Sequence, residues 1–332
     1  MRATVQAAAL GGWDGLLAER GLQTSAIRDC MGGDDGTSSS IPLADFVRFS
    51  EHVVETTRDV SIPWLAGVHY DLSMLGPLGS SIKSASKVGV ALKRFVEFFS
   101  LLQDCTDISL DHEDGMACVS YRILHPDIWP RHHDAMFSLG IVAQILRRGV
   151  QGGWDKVEFA FEAEQTEMRG DIAKVLHAPC SFGADSNQLR FPEAMLDLAL
   201  PGKAGICDTR HLSTMIVDRR RQTPLIERLS ALVFRDLNAV TIDQERIARE
   251  MGMSSRTMRR KLAEEGSSFQ QVLDECRLRQ AVFEFRTRPD LSIAQIALRL
   301  GYAEHSNFTR AFHRWSGISP QAYRVRLGGT VH

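Results

Sequence analysis

Side chains that can read nucleic-acid bases are concentrated near the end of the chain, between Gly301 and Arg324. Arginine can donate two hydrogen bonds to guanine O6 and N7, and asparagine can pair in the same way with adenine N6 and N7. Only one acidic residue, Glu304, lies in this segment. The candidate contact residues are His305, Ser306, Asn307, Arg310 and Arg314.

Apolar residues in the same segment predict the helix that presents these side chains. Phe308, Phe312 and Trp315 follow the i, i+4, i+7 spacing of one buried helix face. The polar candidates then fall on the opposite, accessible face. Such a helix can dock on a protein core through one side and on another molecule through the other.

The same small pattern occurs about 50 residues earlier, so that Thr241–Leu262 and Ser292–Phe312 form two copies of one repeat. Each copy opens with Ser or Thr followed three residues later by Gln, which predicts a capping box at a helix start. The pairs are Thr241 with Gln244 and Ser292 with Gln295.

Each copy continues with Ile-Ala, three residues and Gly. A small alanine lets a second helix cross closely, and glycine at positive φ ends the first helix. Each second helix then has an arginine between two apolar residues, which places the arginine on the outer face. This order predicts two helix-turn-helix motifs. The residues are Ala248, Gly252, Met258, Arg260 and Leu262 in the first copy, and Ala297, Gly301, Phe308, Arg310 and Phe312 in the second.

A long helix is predicted between the two motifs, at Ser267–Arg288. About 20 helical residues span roughly 30 Å, close to the pitch of B-DNA at about 34 Å. A helix of this length can hold two recognition helices in successive major-groove segments. Its acids Asp274, Glu275 and Glu284 are expected to be solvated or paired with arginines at 277–279.

Charge is unevenly distributed along the 332 residues. Thr241–Arg326 contains 15 Lys and Arg against 10 Asp and Glu, whereas the remainder contains 24 against 31. The basic C-terminal part favours a polyanion-binding module, although a net charge of +5 is also compatible with a solvated surface. The six scattered cysteines and the lack of a long apolar run are typical of a reduced, cytoplasmic protein without a membrane span.

The first 200 residues predict one α+β domain with a small, mainly antiparallel sheet. Two alternating runs flank Asp114-Gly115, a strong hairpin signal. From about Pro201 the strand signal stops. The basic triplet Arg219–Arg221 is interpreted first as an exposed charge run, and a DNA contact stays open as the alternative. Helices are expected within 1–60, around a loop at Met31–Pro42, and at 80–102, 130–148 and 165–177, with short strands at 156–161, 180–182 and 188–191.

The C-terminal 100 residues resemble the AraC/XylS family of bacterial transcription regulators in the order and spacing of both motifs. The matching segments are "IAREMGMSSRTMRRKL" and "IALRLGYAEHSNFTRAFHRWSGISPQAYR". The N-terminal part is similar to the family branch with an arabinose-binding-like sensor, which includes regulators of ornithine and other amino-acid catabolism. The segments that carry this second likeness are "LSMLGPLGSSIKSASKVGVALKRFVEFF" and "LRFPEAMLDLALPG". Because helices dominate the first 100 residues, the cupin-type sugar sensor of the founding member is not expected.

The resemblance implies an α+β sensor and dimerisation domain at 1–205, a linker at 206–223, and an all-α DNA-binding domain with two helix-turn-helix motifs at 224–328. It further implies a homodimeric activator that binds double-stranded promoter DNA, contacts RNA polymerase and senses a small effector such as an amino acid. By position, the DNA-contacting residues are Arg256, Arg259, Arg260, His305, Ser306, Asn307, Arg310 and Arg314. Arg256 and Arg259 stand where the family varies, so their targets stay open, and each arginine can hold a base or a phosphate.

No catalytic motif is visible in the N-terminal part, and we expect no enzyme activity, cofactor or metal site there. His132 and His133 are adjacent on a predicted helix, where side chains point about 100° apart and rarely share an ion. Two alternatives remain open. The first is an enzyme-like domain joined to a DNA-binding module, and the second is a dimeric regulator that needs no ligand.

Overall fold

The computed structural model describes residues 3–21, 39–149, 152–165, 167–168, 171–201, 209–237 and 242–328. The polypeptide divides into two compact units, with the main boundary between Arg219 and Arg220. The N-terminal unit contains sheet and helices, and the C-terminal unit is helical.

The strands of the N-terminal unit are β1 Thr4–Gln6, β2 Ser40–Pro42, β3 Thr106–Glu113, β4 Met116–Ile123, β5 Glu158–Ala160, β6 Cys180–Ser181 and β7 Asn187–Pro192. Five of them form one sheet that makes up one layer of this unit, in the order β3-β4-β7-β5-β6. Among the strands that the structure describes in this sheet, β5 and β6 pair in parallel and the other neighbours are antiparallel, which confirms the mainly antiparallel sheet predicted from the sequence.

The predicted hairpin joins β3 to β4 through Asp114 and Gly115. Both residues have positive φ, 51° and 75°, as a two-residue turn of type I′ requires. Along β4, half-buried and buried residues alternate, so one face of the strand packs on the core.

Helices cover the sheet and pack on one another. A glycine pair permits one close helix crossing, because a Cβ on Gly67 would lie 2.2 Å from the Phe137 carbonyl oxygen and one on Gly140 would lie 3.0 Å from the Gly67 Cα. The helices of this unit are α1 Gly11–Glu19, α2 Leu43–Thr57, α3 Ile62–Val68, α4 Gly76–Lys83, α5 Val88–Phe98, α6 His132–Arg147 and α7 Ile172–Leu176. The helix predicted at 130–148 is α6, and it is buried along nearly its whole length.

Three expectations for this unit were wrong in detail. The strands β1 and β2 form a two-stranded sheet where a helix and a loop were expected, because three residues are too few for an alternating pattern to show. The helix expected at 80–102 is interrupted between α4 and α5, since the Val88 N–H donates to the Leu198 carbonyl. The helix expected at 165–177 shrinks to α7, whose N-cap is Asp171. Most of the loop predicted at Met31–Pro42 lies outside the described residues, and its last three residues form β2.

The predicted connection contains an α-helix, α8 at Arg210–Gln222. Leu212 on α8 is buried in the core of the N-terminal unit. Arg219 donates to Asp104 Oδ1 at 2.8 Å and to the Leu101 carbonyl at 3.0 Å. Interpreting the triplet as a simple exposed charge run was therefore wrong for Arg219.

The C-terminal unit consists of helices around two small cores, one for each motif. Its helices are α9 Leu225–Asp236, α10 Gln244–Glu250, α11 Ser255–Glu264, α12 Phe269–Thr287, α13 Ile293–Arg299, α14 His305–Ser316 and α15 Pro320–Gly328. The long helix α12 serves both cores, with Val272 and Leu273 in the first and Ala281 and Phe285 in the second. In the described part of the chain, no helix is long and apolar enough to cross a bilayer.

Candidate DNA-binding surface

The second motif begins with the capping box that its sequence predicts. Ser292 Oγ accepts a hydrogen bond from the Gln295 backbone N–H at 3.2 Å. In return, the Ser292 N–H donates to the Gln295 side chain at 2.8 Å. Two N–H groups that lack partners within α13 are thereby satisfied.

The first motif is capped differently from the prediction. Its helix α10 starts at Gln244, and the N-cap is Asp243, which accepts from the Glu245 N–H at 2.8 Å. Thr241 lies outside the described residues. The prediction of a capping box between Thr241 and Gln244 was wrong, because Gln244 is the first residue of the helix rather than the third.

Both motifs turn through the same backbone arrangement. Gly252 and Gly301 have φ of 73° and 77°. Their N–H groups donate to Arg249 and Leu298 carbonyls, at 2.9 and 3.0 Å. The next N–H in each motif donates to the carbonyl of a buried alanine at 3.0 Å: Met253 to Ala248, and Tyr302 to Ala297. These paired bonds define a Schellman motif, so the Ala-x-x-x-Gly spacing fixes the turn as predicted.

The recognition helix of the first motif, α11, is anchored on one side and exposed on the other. Its N-cap Ser254 accepts from the Thr257 N–H at 3.1 Å, and Met258 and Leu262 are fully buried. The three predicted contact residues on this helix, Arg256, Arg259 and Arg260, are exposed. Within the described ranges, Arg256 and Arg259 have no ion-pair partner, and Arg260 lies 3.9 Å from Glu264. These guanidinium groups are accessible to a polyanion.

The recognition helix of the second motif, α14, has the same organisation. Phe308 and Phe312 are fully buried, while Trp315 is only half-buried. The exposed side carries His305, Ser306, Asn307, Arg310 and Arg314. The predicted division into a docking face and a polar face therefore holds in the structure.

Hydrogen bonds organise part of this polar face. Arg310 Nη2 donates to Asn307 Oδ1 at 2.6 Å, one helical turn away. Ser306 Oγ donates to Glu304 at 3.3 Å. Arg314 differs from the other candidates because its guanidinium lies 3.1 Å from Asp274 Oδ2 on α12. Arg310 and Asn307 thus face outward as a pair, whereas Arg314 is held toward the linker helix.

The linker helix α12 has 19 residues and is therefore about 28 Å long. This length agrees with the helix predicted to separate the two recognition helices. Glu284 on this helix was expected to be solvated or paired with nearby arginines, but it is 3% exposed. It accepts from Arg299 Nε at 3.1 Å and from Gln280 Nε2 at 3.1 Å. Since Arg299 ends α13, this buried carboxylate ties the linker to the second motif.

Charged side chains also fix the first motif. Arg235 on α9 forms two hydrogen bonds with Glu250 on α10, at 2.5 and 2.8 Å. These bonds hold the pKa of Glu250 below its ordinary value. Asp236 forms a further ion pair with Arg246. This network positions α10, against which the recognition helix packs.

An acidic side chain that sequence reasoning missed caps a helix from outside. Glu265, just beyond α11, accepts from the backbone N–H groups of Leu225 and Ile226 at 3.1 and 3.2 Å. Both N–H groups lie at the start of α9, where a carboxylate is favoured by the helix dipole. Glu265 and Leu225 are 40 residues apart in the sequence, so no local sequence signal identifies this cap.

The histidines considered for a metal site take part in other contacts. His133 Nδ1 is paired with buried Glu51 on α2, and the His133 backbone N–H donates to the same carboxylate at 3.0 Å. Burial lowers the pKa of His132 to about 4. Among the described residues, no group of three or more potential ligands could hold a metal ion.

Two family profiles match the chain, one for each compact unit. The arabinose-binding domain of AraC transcription regulators matches residues 17–200, and a helix-turn-helix domain matches residues 247–326. The chain belongs to the AraC family of transcription regulators. The family predicted from the sequence and the α+β plus all-α fold class are confirmed.

Relatives of this AraC-family regulator are transcription regulators themselves. It is 25% identical to the ornithine utilization regulator of Pseudomonas aeruginosa over 321 residues, which cover 93% of each chain. It is 32% identical to the HTH-type regulator VirS of Mycobacterium tuberculosis, covering 77% of this chain and 76% of VirS. The crystal structure of the regulator CdpR from Pseudomonas aeruginosa is 22% identical, covers 96% of this chain and 98% of that one, and superposes with a TM-score of 0.46.

Proposed function

We propose that this AraC-family regulator reads promoter DNA through α11 and α14 together. The observation that carries the proposal is the repetition of one architecture: two Schellman turns, each followed by a helix with a buried apolar side and an exposed basic or amide side. On α11 the DNA-facing residues are Arg256, Arg259 and Arg260. On α14 they are His305, Ser306, Asn307 and Arg310.

Arg314 takes a different role in this proposal. Its ion pair with Asp274 holds the guanidinium toward the linker helix, so it contacts the phosphate backbone and not a base edge. Phosphate contacts fix the register of a protein on the duplex, and base contacts supply the sequence preference.

The decisive experiment is selection of bound fragments from the genome, followed by fluorescence anisotropy on a selected and a scrambled duplex. Specific sites are typically bound at least about 10³-fold more tightly than non-specific DNA at physiological salt. Equal affinity for the selected and scrambled duplexes would contradict sequence-specific reading.

We further propose that the regulator acts as a homodimer and activates transcription by contacting RNA polymerase. A dimer predicts two half-sites separated by about one helical turn, 10–10.5 base pairs, or a multiple of it. Footprinting measures the spacing, and transcription with purified polymerase measures activation. A footprint that covers one half-site, together with a monomer in analytical ultracentrifugation, would contradict the dimer.

The N-terminal unit is proposed to sense a small molecule and to have no catalytic role. A ligand at about 100 times its dissociation constant adds about 2.7 kcal/mol of stability, which a thermal-shift screen detects. Turnover of a bound metabolite would support an enzyme-like unit instead. Stability that is unchanged across the screen would favour a purely dimerising unit.

A further inference from the structure

The N-terminal unit contains a cavity of about 40 Å³ whose walls are almost entirely apolar. The phenyl rings of Phe46, Phe95, Phe99 and Phe137 form much of the lining. Most of the lining comes from α2, α5, α6, and from β1 with the residues that follow it.

The lining includes uncharged polar residues, among them Gln103 and Ser138. Both side chains hydrogen bond with the Tyr121 hydroxyl, the Gln103 amide at 2.8 Å. The Tyr121 hydroxyl in turn donates to Asp134 at 2.6 Å. A ligand hydroxyl can donate to Gln103 Oε1 or Ser138 Oγ, which this network already orients.

The described residues that line the cavity include no lysine, arginine, histidine, aspartate or glutamate. A buried carboxylate or ammonium without an opposite charge loses its hydration and gains nothing comparable in return. The lining therefore disfavours the amino-acid effector expected from the sequence, because a zwitterion carries both charges into an apolar site.

The wall of the cavity is connected to α8, the helix that precedes the C-terminal unit in the chain. Leu102 and Gln103 line the cavity, and their neighbours Leu101 and Asp104 accept the two hydrogen bonds of Arg219 on α8. Displacement of this short segment by an occupant would act directly on the anchor of α8. This position suits a site where a bound ligand changes DNA binding through α8.

We propose that this cavity binds a small uncharged alkyl compound bearing one hydroxyl group, and that this compound is the effector. The assignment of an effector rests on the proposed regulatory function, whereas the binding site does not. As it stands the cavity is smaller than the roughly 150 Å³ cavity that accepts benzene. A chain of four to six carbons therefore enters as the phenyl rings of the lining move apart.

The probes are 1-hexanol, hexanoate and norleucine, which share an alkyl chain and differ in charge. Calorimetric titration of the full-length protein is expected to give saturable binding of 1-hexanol, and at least about tenfold weaker binding of the two charged probes. From 1-butanol to 1-hexanol, affinity should rise about fourfold per methylene group. Equal or tighter binding of hexanoate or norleucine would overturn the ligand class.

Two substitutions and one control test the location. Ala9→Leu adds three carbons at a residue that lines the cavity and should abolish 1-hexanol binding. Ala7→Leu makes the same change at a neighbour outside the lining and should retain it. Ser138→Ala, a smaller perturbation, should weaken 1-hexanol about fivefold by removing one hydrogen bond. Unchanged binding in both Ala9→Leu and Ser138→Ala would place 1-hexanol elsewhere.

Operator affinity measured with and without 1-hexanol tests the effector role. We expect 1-hexanol to change wild-type operator affinity, and to leave it unchanged in Arg219→Ala while still binding that variant. Arg220→Ala, the exposed neighbour, is the control and should respond like wild type. Loss of operator binding in all samples would contradict the proposed function, whereas normal operator binding without any 1-hexanol binding would overturn only this site.

Discussion

Arg310 and Asn307 are joined by a 2.6 Å hydrogen bond on the exposed face of α14. The bond restricts two side chains that would otherwise lose rotamer freedom when DNA binds. It also leaves most guanidinium donors of Arg310 available. The pair is thus arranged before binding, which favours a base contact over a loose phosphate contact.

Arg310→Ala is expected to weaken binding to the selected operator by at least about 1 kcal/mol, because a bidentate base contact contributes roughly 1–3 kcal/mol of discrimination. Fluorescence anisotropy measures the affinity, and circular dichroism checks that the helices are intact. Arg286→Ala removes the same charge from an exposed position on α12 and should have a smaller effect. Wild-type affinity in Arg310→Ala would remove Arg310 from the interface.

Arg256 and Arg260 should differ in what they contact. Arg256 is the second residue of α11, and the first residues of a recognition helix approach base edges. Arg256→Ala should therefore lose discrimination at one base pair. Arg260→Ala should weaken all duplexes alike and reduce the slope of log K against log salt by about 0.9, as loss of one phosphate contact does. Binding of a substituted operator set at several salt concentrations measures both effects, and the reverse pattern would exchange the two roles.

The C-terminal unit was largely predictable because its signals are local. The Ala-x-x-x-Gly spacing, the Ser292 capping box and the alternation of Arg310 with Phe308 and Phe312 each lie within one or two helical turns. Sequence reasoning did not find the Glu265 cap or the burial of Glu284, since both depend on partners from other helices.

The N-terminal unit was less predictable for the same physical reason. Its hairpin has a strong two-residue turn signal and was found, whereas β1 pairs with β2 through residues that are 34 to 38 positions apart, and this pairing leaves no periodic pattern. The cavity could not be foreseen, because Val5, Phe46, Phe95 and Ser138 become neighbours only in the folded unit. The anchor formed by Arg219 and Asp104 is likewise tertiary, and it joins residues 115 apart.

Gly252→Ala should lower the free energy of unfolding of the C-terminal unit by about 1–2 kcal/mol. A Cβ at this position meets no atom within 4 Å, so the cost arises from the φ of 73° alone. Gly252→Asn should cost less, because asparagine tolerates the left-handed region better than alanine. Urea unfolding measures both variants. Equal losses for alanine and asparagine would show that backbone conformation is not the cause.

Glu284→Gln should destabilise the C-terminal unit by about 2–3 kcal/mol. Removing one partner of a buried ion pair typically costs about 3–5 kcal/mol, and the cost is reduced here because Arg299 is 26% exposed and reaches water. Glu275→Gln changes an exposed acid on the same helix and should stay within about 0.5 kcal/mol of wild type. A loss of similar size in both variants would indicate that helix charge, not the buried pair, matters.

Asp134 should make the N-terminal unit less stable as pH rises from about 4 to 7. Burial raises the pKa of this carboxyl from 3.8 to about 7, and the hydrogen bond from Tyr121 only partly offsets the effect. Between these two pH values the unfolded chain releases a proton that the folded chain retains, so the free energy of unfolding falls as pH increases and levels off above pH 7.

The measurement is urea unfolding of wild type and Asp134→Asn at several pH values from 4 to 8, followed by tryptophan fluorescence. Four of the five tryptophans, Trp13, Trp64, Trp129 and Trp154, lie in the N-terminal unit and report on its unfolding. The asparagine variant cannot titrate at this position, so its stability should depend less steeply on pH over this range. Tyr121→Phe removes the hydroxyl that donates to Asp134 and should steepen the dependence, because the charged carboxylate loses a donor that stabilises it. Identical pH profiles for wild type and Asp134→Asn would mean that Asp134 titrates alike in the folded and unfolded chains.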